Sequence, residues 1–238
     1  MRWALDWKRI PHRRKALFVG YVPRAFLKTG QLSLPILIVD GKGIADSTRI
    51  IAELERRKPE APLYPADPAL RERALALEDF FDEELGHCLR TVVIGDVWER
   101  DPRLAVELLA IGQPDAPLWM ARVMLPAMRA FYRARHGINP ATQARARAEV
   151  EAALDRLERE LGPNGYLVGD SFSVADLTAA ALLGPLVRPP ELEYAIPEEL
   201  VPPYLREYQQ SLAGRDAMAF VREMYGRHRG ASAEIGAG

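Results

Sequence analysis

The stretch from residue 34 to residue 47 constrains the fold of this chain more than any other. It reads Leu-Pro-Ile-Leu-Ile-Val-Asp-Gly-Lys-Gly-Ile-Ala-Asp-Ser, so a proline leads into an apolar run, a glycine-rich reversal and an acid–hydroxyl pair. A proline lacks an amide donor and suits the first position of a strand. Gly41 and Gly43 permit the positive φ that a tight reversal needs. The sequence therefore predicts a hairpin of residues 35 to 40 and 42 to 45 that reverses through Gly-Lys-Gly.

The acid–hydroxyl pair Asp46-Ser47 has two interpretations. Both residue types begin helices, because their side chains accept hydrogen bonds from first-turn amides. The same helix start also attracts a carboxylate, since its amides are free, its dipole is positive there and Ser47 adds a hydroxyl donor. Ile50, Ile51 and Leu54 form an apolar face on the helix that would follow. On these residues alone, plain capping and ligand binding both stay open.

Composition excludes several classes of function. The chain has 238 residues, 48% of them hydrophobic and 27% charged, with a net charge of −1. This balance lacks the basic field that nucleic acid or an anionic membrane requires. No apolar run approaches the roughly 20 residues of a bilayer span, and the charged N-terminus does not resemble a secretory signal. We therefore expect a soluble, cytoplasmic protein without nucleic-acid or membrane partners, and the single cysteine, Cys88, excludes an internal disulfide or a cysteine-based zinc site.

Two regions follow from the hydrophobic pattern. The first, residues 1–59, reads as a short helix over 1–9, a strand over 13–19, the hairpin and a helix. Four prolines between Lys58 and Pro68 indicate a linker. The second region, residues 68–228, reads as all-helical, and a Gly- and Ala-rich tail over 229–238 is expected to be disordered. The predicted helices of the second region span residues 70–94, 114–135, 140–161, 173–183 and 202–225, the last with a break near Gly214.

One late motif is interpreted as structural. Ser173-Val174-Ala175-Asp176 fits a capping box before an apolar run, with Phe172 and Leu177 as its hydrophobic staple. Both polar side chains would be used on helix amides, so we predict that Asp176 is a folding residue and not a catalytic acid.

Four of these features in this order resemble the soluble glutathione transferases over nearly the whole chain: Leu34-Pro35, Asp46-Ser47, Tyr64-Pro65 and the capping box. The resemblance implies an α/β domain followed by an all-α domain. The first, over residues 1–59, would be thioredoxin-like and bind glutathione. The second, over residues 68–228, would line the pocket for a small electrophile. It also implies a homodimer.

The resemblance assigns roles by position. Pro35 would be the cis-proline that leaves the backbone of Leu34 free to bond the cysteinyl part of glutathione, and Asp46 and Ser47 would hold its γ-glutamyl end. The implied activity is transfer of the glutathione thiol to an electrophile, or a related reduction or isomerisation. Whether glutathione or another small thiol is used stays open. The alternative is a non-catalytic module that keeps the fold for assembly.

The chain departs from the family pattern at its beginning. The activating Ser, Cys or Tyr of the family lies at the end of the first strand or the start of the first helix, and residues 1–7 resemble the middle of that helix. The first strand and the activating residue are therefore absent from this sequence, which leaves no catalytic residue to assign. Losing a strand that pairs on both sides would cost roughly 10 kcal/mol, comparable with the stability of a whole domain. We therefore expect the natural start to lie upstream.

The helix around Cys88 offers weaker candidates. His87 and Cys88 are adjacent on a helix and point about 100° apart, which argues against a catalytic pair. Packing in the second region is the favoured interpretation of Cys88. The resemblance allows an alternative in which Phe81, Leu85 and Cys88 face the electrophile pocket. The acidic residues Asp79, Asp82, Glu83 and Glu84 have no histidine on the same face and are interpreted as a solvated surface rather than a metal site.

Overall fold

The computed structural model describes residues 1–15, 21–31, 34–111, 117–193 and 195–236. The first part of the chain forms three helices and one hairpin. These elements are α1 (Arg2–Trp7), α2 (Tyr21–Thr29), β1 (Ile36–Val39), β2 (Lys42–Ala45) and α3 (Ser47–Arg57).

The predicted hairpin is present, but its reversal lies one position earlier than expected. β1 and β2 pair antiparallel with Val39 opposite Lys42, so the turn is Asp40-Gly41, and both turn residues have positive φ, 49° and 75°. Two positive φ values match the twist of the flanking strands, which favours Asp-Gly as a two-residue turn. Gly43 serves a different purpose within β2, because a Cβ there would lie 2.7 Å from the Lys28 carbonyl oxygen of α2.

The strand predicted over residues 13–19 is not found in the described part of that range. Residues 13–15 have no regular structure, and residues 16–19 lie outside the described residues. Pro23 lies inside α2, as its third residue. A proline is tolerated there because the first-turn amides of a helix have no partner within the helix. The described part of the chain contains one two-stranded sheet.

Beyond residue 67 the structure is helical, as predicted. A continuous run begins at Pro68 and ends at Arg100, later than the expected residue 94, and two π-helical turns interrupt it. A further helix after it was not predicted, although Asp101 caps it by accepting from the Leu104 amide at 3.0 Å and Pro102 begins it. The segments are α4 (Pro68–Phe80), a π turn (Phe81–Leu85), α5 (Gly86–Leu89), a π turn (Arg90–Ile94), α6 (Gly95–Arg100), α7 (Pro102–Ala110), α8 (Leu118–His136), α9 (Pro140–Glu160), α10 (Val174–Val187), a 3-10 turn (Glu198–Leu200), α11 (Pro203–Leu212) and α12 (Asp216–His228).

One large core connects the two parts of the chain. Ile50 and Leu54 of α3 belong to the same buried cluster as Phe81, Leu154 and Leu183 of the helical part. The intervening segment is hydrogen-bonded to both parts, since the Leu63 amide donates to Glu55 Oε1 at 2.9 Å and the Leu63 carbonyl accepts from the Val174 amide at 2.8 Å. The division at residues 59 and 68 stays a prediction, because a shared core does not separate the two parts. No helix among the described residues is long and apolar enough to cross a membrane.

The C-terminal tail is ordered as far as residue 236, contrary to expectation. The Ala233 amide donates to Asp6 Oδ1 at 2.7 Å, and the Ile235 amide donates to the His12 carbonyl at 2.8 Å. Asp6 is buried, and a buried carboxylate requires hydrogen-bond partners. The tail supplies them, which the Gly- and Ala-rich composition did not reveal; residues 237–238 lie outside the described residues.

Candidate functional site

Strand register brings the two predicted site motifs to one end of the hairpin. Ile36 lies opposite Ala45, and Pro35 directly precedes the first while Asp46 directly follows the second. Leu34-Pro35 and Asp46-Ser47 are therefore neighbours in space although eleven residues apart or more along the chain. We call this end of the hairpin, with the first turn of α3, the candidate site.

The Leu34–Pro35 peptide bond is cis. Leu34 itself is 46% exposed, and its backbone groups make no hydrogen bond to the described residues. An extended ligand can therefore bond to this backbone in the way that an added strand does.

Asp46 caps α3, as one of its two interpretations required. Its Oδ1 accepts from the Arg49 amide at 3.1 Å, which leaves the second oxygen without a hydrogen-bond partner among the described residues. Asp46 also has a φ of 79°, a conformation that side chains other than glycine seldom adopt. Such strain costs on the order of 1–3 kcal/mol and is concentrated at binding and active sites.

The first turn of α3 offers free donors. The Arg49 amide is used by Asp46 and the Ile50 amide by the Asp46 carbonyl, at 3.0 Å. The Ser47 and Thr48 amides have no acceptor in the described parts of the chain. Two free amides at the positive end of a helix of 11 residues are suited to a carboxylate.

Helix α4 and the π turn that follows it contribute carboxylates that the sequence did not assign to the site. Ser47 Oγ lies 3.5 Å from Asp82 Oδ2, and Thr48 Oγ1 donates to Glu78 Oε1 at 2.8 Å. Glu78 is 2% exposed, and burial raises its pKa to about 7, with the nearby carboxylates adding to the effect and the Thr48 bond opposing it. The signal in the sequence was a glutamate at an apolar-face position of α4, between Leu77 and Phe81.

The structure bears out core packing of Cys88, and it does not bear out the alternative contact of Phe81, Leu85 and Cys88 with an electrophile. The two apolar side chains are completely buried in the core, and Cys88 is 6% exposed. Cys88 Sγ donates to Glu149 Oε2 at 3.1 Å, and burial together with that carboxylate raises the pKa of the thiol to about 12. A thiol in this state is not a nucleophile near neutral pH.

Two other groups of residues were considered in the sequence, the capping box at Ser173 and the acidic cluster around Asp82. The capping box is present: Asp176 accepts from the Ser173 amide at 2.8 Å, from its hydroxyl at 2.6 Å and from the Leu167 amide at 2.8 Å. Its carboxylate is fully buried and occupied by these bonds, as expected of a folding residue. In the acidic cluster, Asp79, Glu83 and Glu84 are exposed, and no group of potential metal ligands is found in the described residues.

Comparison with known proteins identifies the family of the chain. Residues 1–62 match the N-terminal domain of glutathione S-transferases, and residues 140–209 match the C-terminal domain. The chain belongs to the glutathione S-transferase family. It has the fold of that family, a thioredoxin-like part followed by a helical part.

Three relatives illustrate the range of the family. FtsZ-localized protein A of Caulobacter vibrioides is 25% identical over 188 residues, 77% of this chain and 69% of that protein. Protein LigF of Sphingobium sp. is 28% identical over 159 residues, 66% of this chain and 60% of LigF. The crystal structure of the β-etherase LigF covers 93% of each chain with a TM-score of 0.55 at 23% identity. A glutathione S-transferase of Methylobacterium radiotolerans, in complex with glutathione sulfonate, covers 92% of this chain and 85% of its own, with a TM-score of 0.51 at 24% identity. Because the two solved structures share only 24% and 23% of their residues with this chain, the structural similarity establishes the fold.

Proposed function

We propose that the protein binds glutathione at the candidate site and transfers its thiol to a small electrophile. The observation that carries the proposal is the meeting of a free Leu34 backbone with the open first turn of α3 at one end of the hairpin. Family membership and a relative in complex with glutathione sulfonate support it.

The polar groups of the site match one end of the tripeptide, its γ-glutamyl group. The γ-glutamyl α-carboxylate is placed on the free amides of Ser47 and Thr48, with the Ser47 hydroxyl as a further donor. Its ammonium is placed against the open oxygen of Asp46 and the nearby carboxylate of Asp82. The site thus offers donors and acceptors to both charges of one amino-acid group.

The cysteinyl residue, the middle of the tripeptide, lies beside the backbone of Leu34. Its cysteinyl amide and carbonyl bond to the Leu34 backbone, which holds the sulfur at a fixed position beside the hairpin. In the transfer step a C–S bond forms, the leaving group departs with its electron pair, and the thiol proton passes to solvent. We assign no described side chain to the removal of that proton.

Calorimetric titration with glutathione tests the site. Ser47→Ala removes a hydroxyl that donates to a charged ligand, so we expect binding to weaken about tenfold to a hundredfold. Ser171→Ala is the matched control, because Ser171 is exposed and lies outside the site. Equal affinities of the two variants would reject the assigned residues, and absence of binding to the unmodified protein would reject the function.

A second candidate function is a non-catalytic role in assembly. It is favoured by the similarity to FtsZ-localized protein A and by the lack of an assigned activating group. Turnover of a chlorodinitrobenzene electrophile separates the two candidates. Glutathione binding with chloride release supports the transferase, whereas binding with no conjugation above the uncatalysed rate supports the assembly module.

A further inference from the structure

Helix α8 has an apolar surface that no described part of the chain covers. One side of the helix is buried, and its Ala121 and Leu125 belong to a second core cluster together with residues of α6 and α7. On the other side, Trp119, Val123 and Phe131 are 68%, 72% and 67% exposed. A helix that is apolar on both sides is typical of a protein interior, so the outer side of α8 requires an explanation.

The exposed side chains form a regular pattern on the helix. Four exposed residues, spaced four positions apart, form one row: Trp119, Val123, Ala127 and Phe131. Residues at this spacing form the ridge that packs between the corresponding ridges of a second helix, in the commonest class of helix packing. We call this row the α8 ridge. The rows beside it are apolar over most of their length and contain Pro126, Ala130 and Ala134 on one side and Met120, Met124 and Met128 on the other.

Little charge lies near the α8 ridge. The helix contains no Asp or Glu, and Arg129 and Arg133 both form ion pairs with Glu99 of α6. Among the described side chains of α8, Arg122 is the one charged group outside this ion-pair cluster. A helix that lies on an anionic membrane has a strongly basic flank. The core of a protein interface is instead depleted of charge and enriched in aromatic residues and Met, which matches this surface.

The α8 ridge is complementary to a reversed copy of itself. Its midpoint is at residue 125, so in an antiparallel pair Trp119 lies opposite the partner's Phe131, and Val123 lies opposite the partner's Ala127. The two ends of the pair then match aromatic rings with aromatic rings. The small Ala127 leaves room for the branched Val123 at the centre, where the helices approach most closely. Both copies make the same contacts, as a twofold interface requires.

The exposed area suits the core of a dimer interface. The α8 ridge and Met124 together expose on the order of 400 Å² of apolar surface in each chain. A standard specific interface buries about 800 Å² per partner, and its apolar core is surrounded by a more polar rim. The neighbouring rows and Arg122 are placed to supply the remaining area.

We propose that the α8 ridge joins two copies of this chain, packed antiparallel about a twofold axis at the level of residue 125. The resemblance predicted a homodimer, and the proposal assigns a surface to it. That surface lies between the two segments that match the family, residues 1–62 and 140–209. The pairing does not involve the candidate site, so it is measured without glutathione and its failure leaves the proposed function untouched.

Sedimentation equilibrium tests the interface. We expect the unmodified protein to have twice the mass of one chain at micromolar concentration and to dissociate on dilution. Ala127→Glu puts a carboxylate at the centre of the pairing, so we expect the dissociation constant to rise at least about 100-fold. Ala219→Glu is the matched control, since Ala219 is exposed on α12, outside the interface. A monomer at every concentration, or a dimer as tight in Ala127→Glu as in the control, would overturn the proposal.

Mixing two variants tests the antiparallel register. Val123→Lys alone and Ala127→Glu alone each leave two unpaired charges in a dimer of identical chains. A mixed dimer places the new ammonium of one chain opposite the new carboxylate of the other. We therefore expect the mixture to dimerise at least about tenfold more tightly than either variant alone. Both substitutions are at exposed positions, and circular dichroism spectra confirm that the variants are folded. Equal dissociation constants for the mixture and the separate variants would overturn the proposed pairing.

A membrane surface is the other occupant that the experiment separates. Its probe is vesicles of equal parts phosphatidylcholine and phosphatidylglycerol. The proposal expects the protein to stay in solution as a dimer when the vesicles are pelleted. A monomer that pellets with the vesicles, and no longer does so after Ala127→Glu, would overturn the proposal.

Discussion

Thr48 donates its hydroxyl to the buried carboxylate of Glu78, with Oγ1 and Oε1 2.8 Å apart. This bond joins the helix that begins at the candidate site to the first helix of the helical part. Because burial raises the pKa of Glu78 to about 7, the ionisation of one side chain is coupled to the packing of α3 on α4.

The first prediction concerns stability and pH. The pKa of Glu78 is raised from 4.5 to about 7 in the folded protein, so the folded state holds its proton more tightly than the unfolded chain. The ionised Glu78 side chain lowers the free energy of unfolding. This destabilisation is absent well below pH 4.5, grows as pH rises and is complete above pH 7, where it reaches about 3 kcal/mol.

Glu78→Gln keeps an acceptor for Thr48 and removes the ionisation. We expect the free energy of unfolding of the unmodified protein to fall by roughly 2–3 kcal/mol relative to this variant between about pH 5 and about pH 8. Urea unfolding at several pH values measures it. Glu83→Gln, at an exposed position, serves as control, and parallel pH profiles for the unmodified protein and Glu78→Gln would contradict the assignment.

The second prediction concerns a buried lysine. Lys8 Nζ lies 2.7 Å from both Glu55 Oε1 and the Lys58 carbonyl, and its side chain is fully buried. Lys8→Met leaves the Glu55 carboxylate without its counter-ion, with only the Leu63 amide as donor, and removes the donor of the Lys58 carbonyl, so we expect a loss of about 3–5 kcal/mol.

A double-mutant cycle with Glu55→Gln isolates the pair. The double variant should be more stable than the sum of the single losses implies, by at least about 1 kcal/mol, because neither charge is then left alone. Lys42→Met, at an exposed position, should change stability little. Additive single effects within about 0.5 kcal/mol would argue against a coupled pair.

The third prediction concerns the tail. Asp6 and Arg229 are buried and their Oδ2 and Nη1 atoms lie 2.8 Å apart, while Asp6 also accepts from the Ala233 amide. Asp6→Asn removes the charge that holds Arg229, so we expect a loss of stability of about 3–5 kcal/mol. Amide exchange at Ala233 and Ile235 should accelerate. Protection of these two amides that stays equal to that in an Asp79→Asn control would show that the tail is held by other contacts.

The fourth prediction concerns the single cysteine. With a pKa of about 12 and little exposure, the Cys88 thiol should not react with an aromatic disulfide reagent near pH 8 while the protein is folded. Unfolding in urea should release one reactive thiol per chain. Rapid reaction in the absence of urea would mean that Cys88 is accessible, and would reopen its role near a substrate.

Local patterns predicted much of the fold. The hairpin, the start of α3 and the capping box at Ser173 each depend on residues within a few positions of one another, and the structure has all three. The reversal was misplaced by one residue because Gly43 resembles a turn glycine, whereas its function is to let the Lys28 carbonyl approach.

Contacts between residues far apart in the chain could not be predicted from the sequence. Glu78 meets Thr48 across 30 positions, and Ala233 meets Asp6 across 227. Neither pairing leaves a periodic signal, because each depends on how whole helices pack. For the same reason the sequence left a pocket position open for Phe81, whose side chain lies in the core. The homodimer and the cytoplasmic location stay predictions.

The central claim is that glutathione binds at the end of the hairpin. Titration of isotope-labelled protein with glutathione, followed through the backbone amide resonances, tests it most directly. We predict the largest shifts at the amides of Leu34, Ser47 and Thr48, which are the donors that the site leaves free. Shifts confined to other parts of the chain, or no shift at millimolar glutathione, would contradict it.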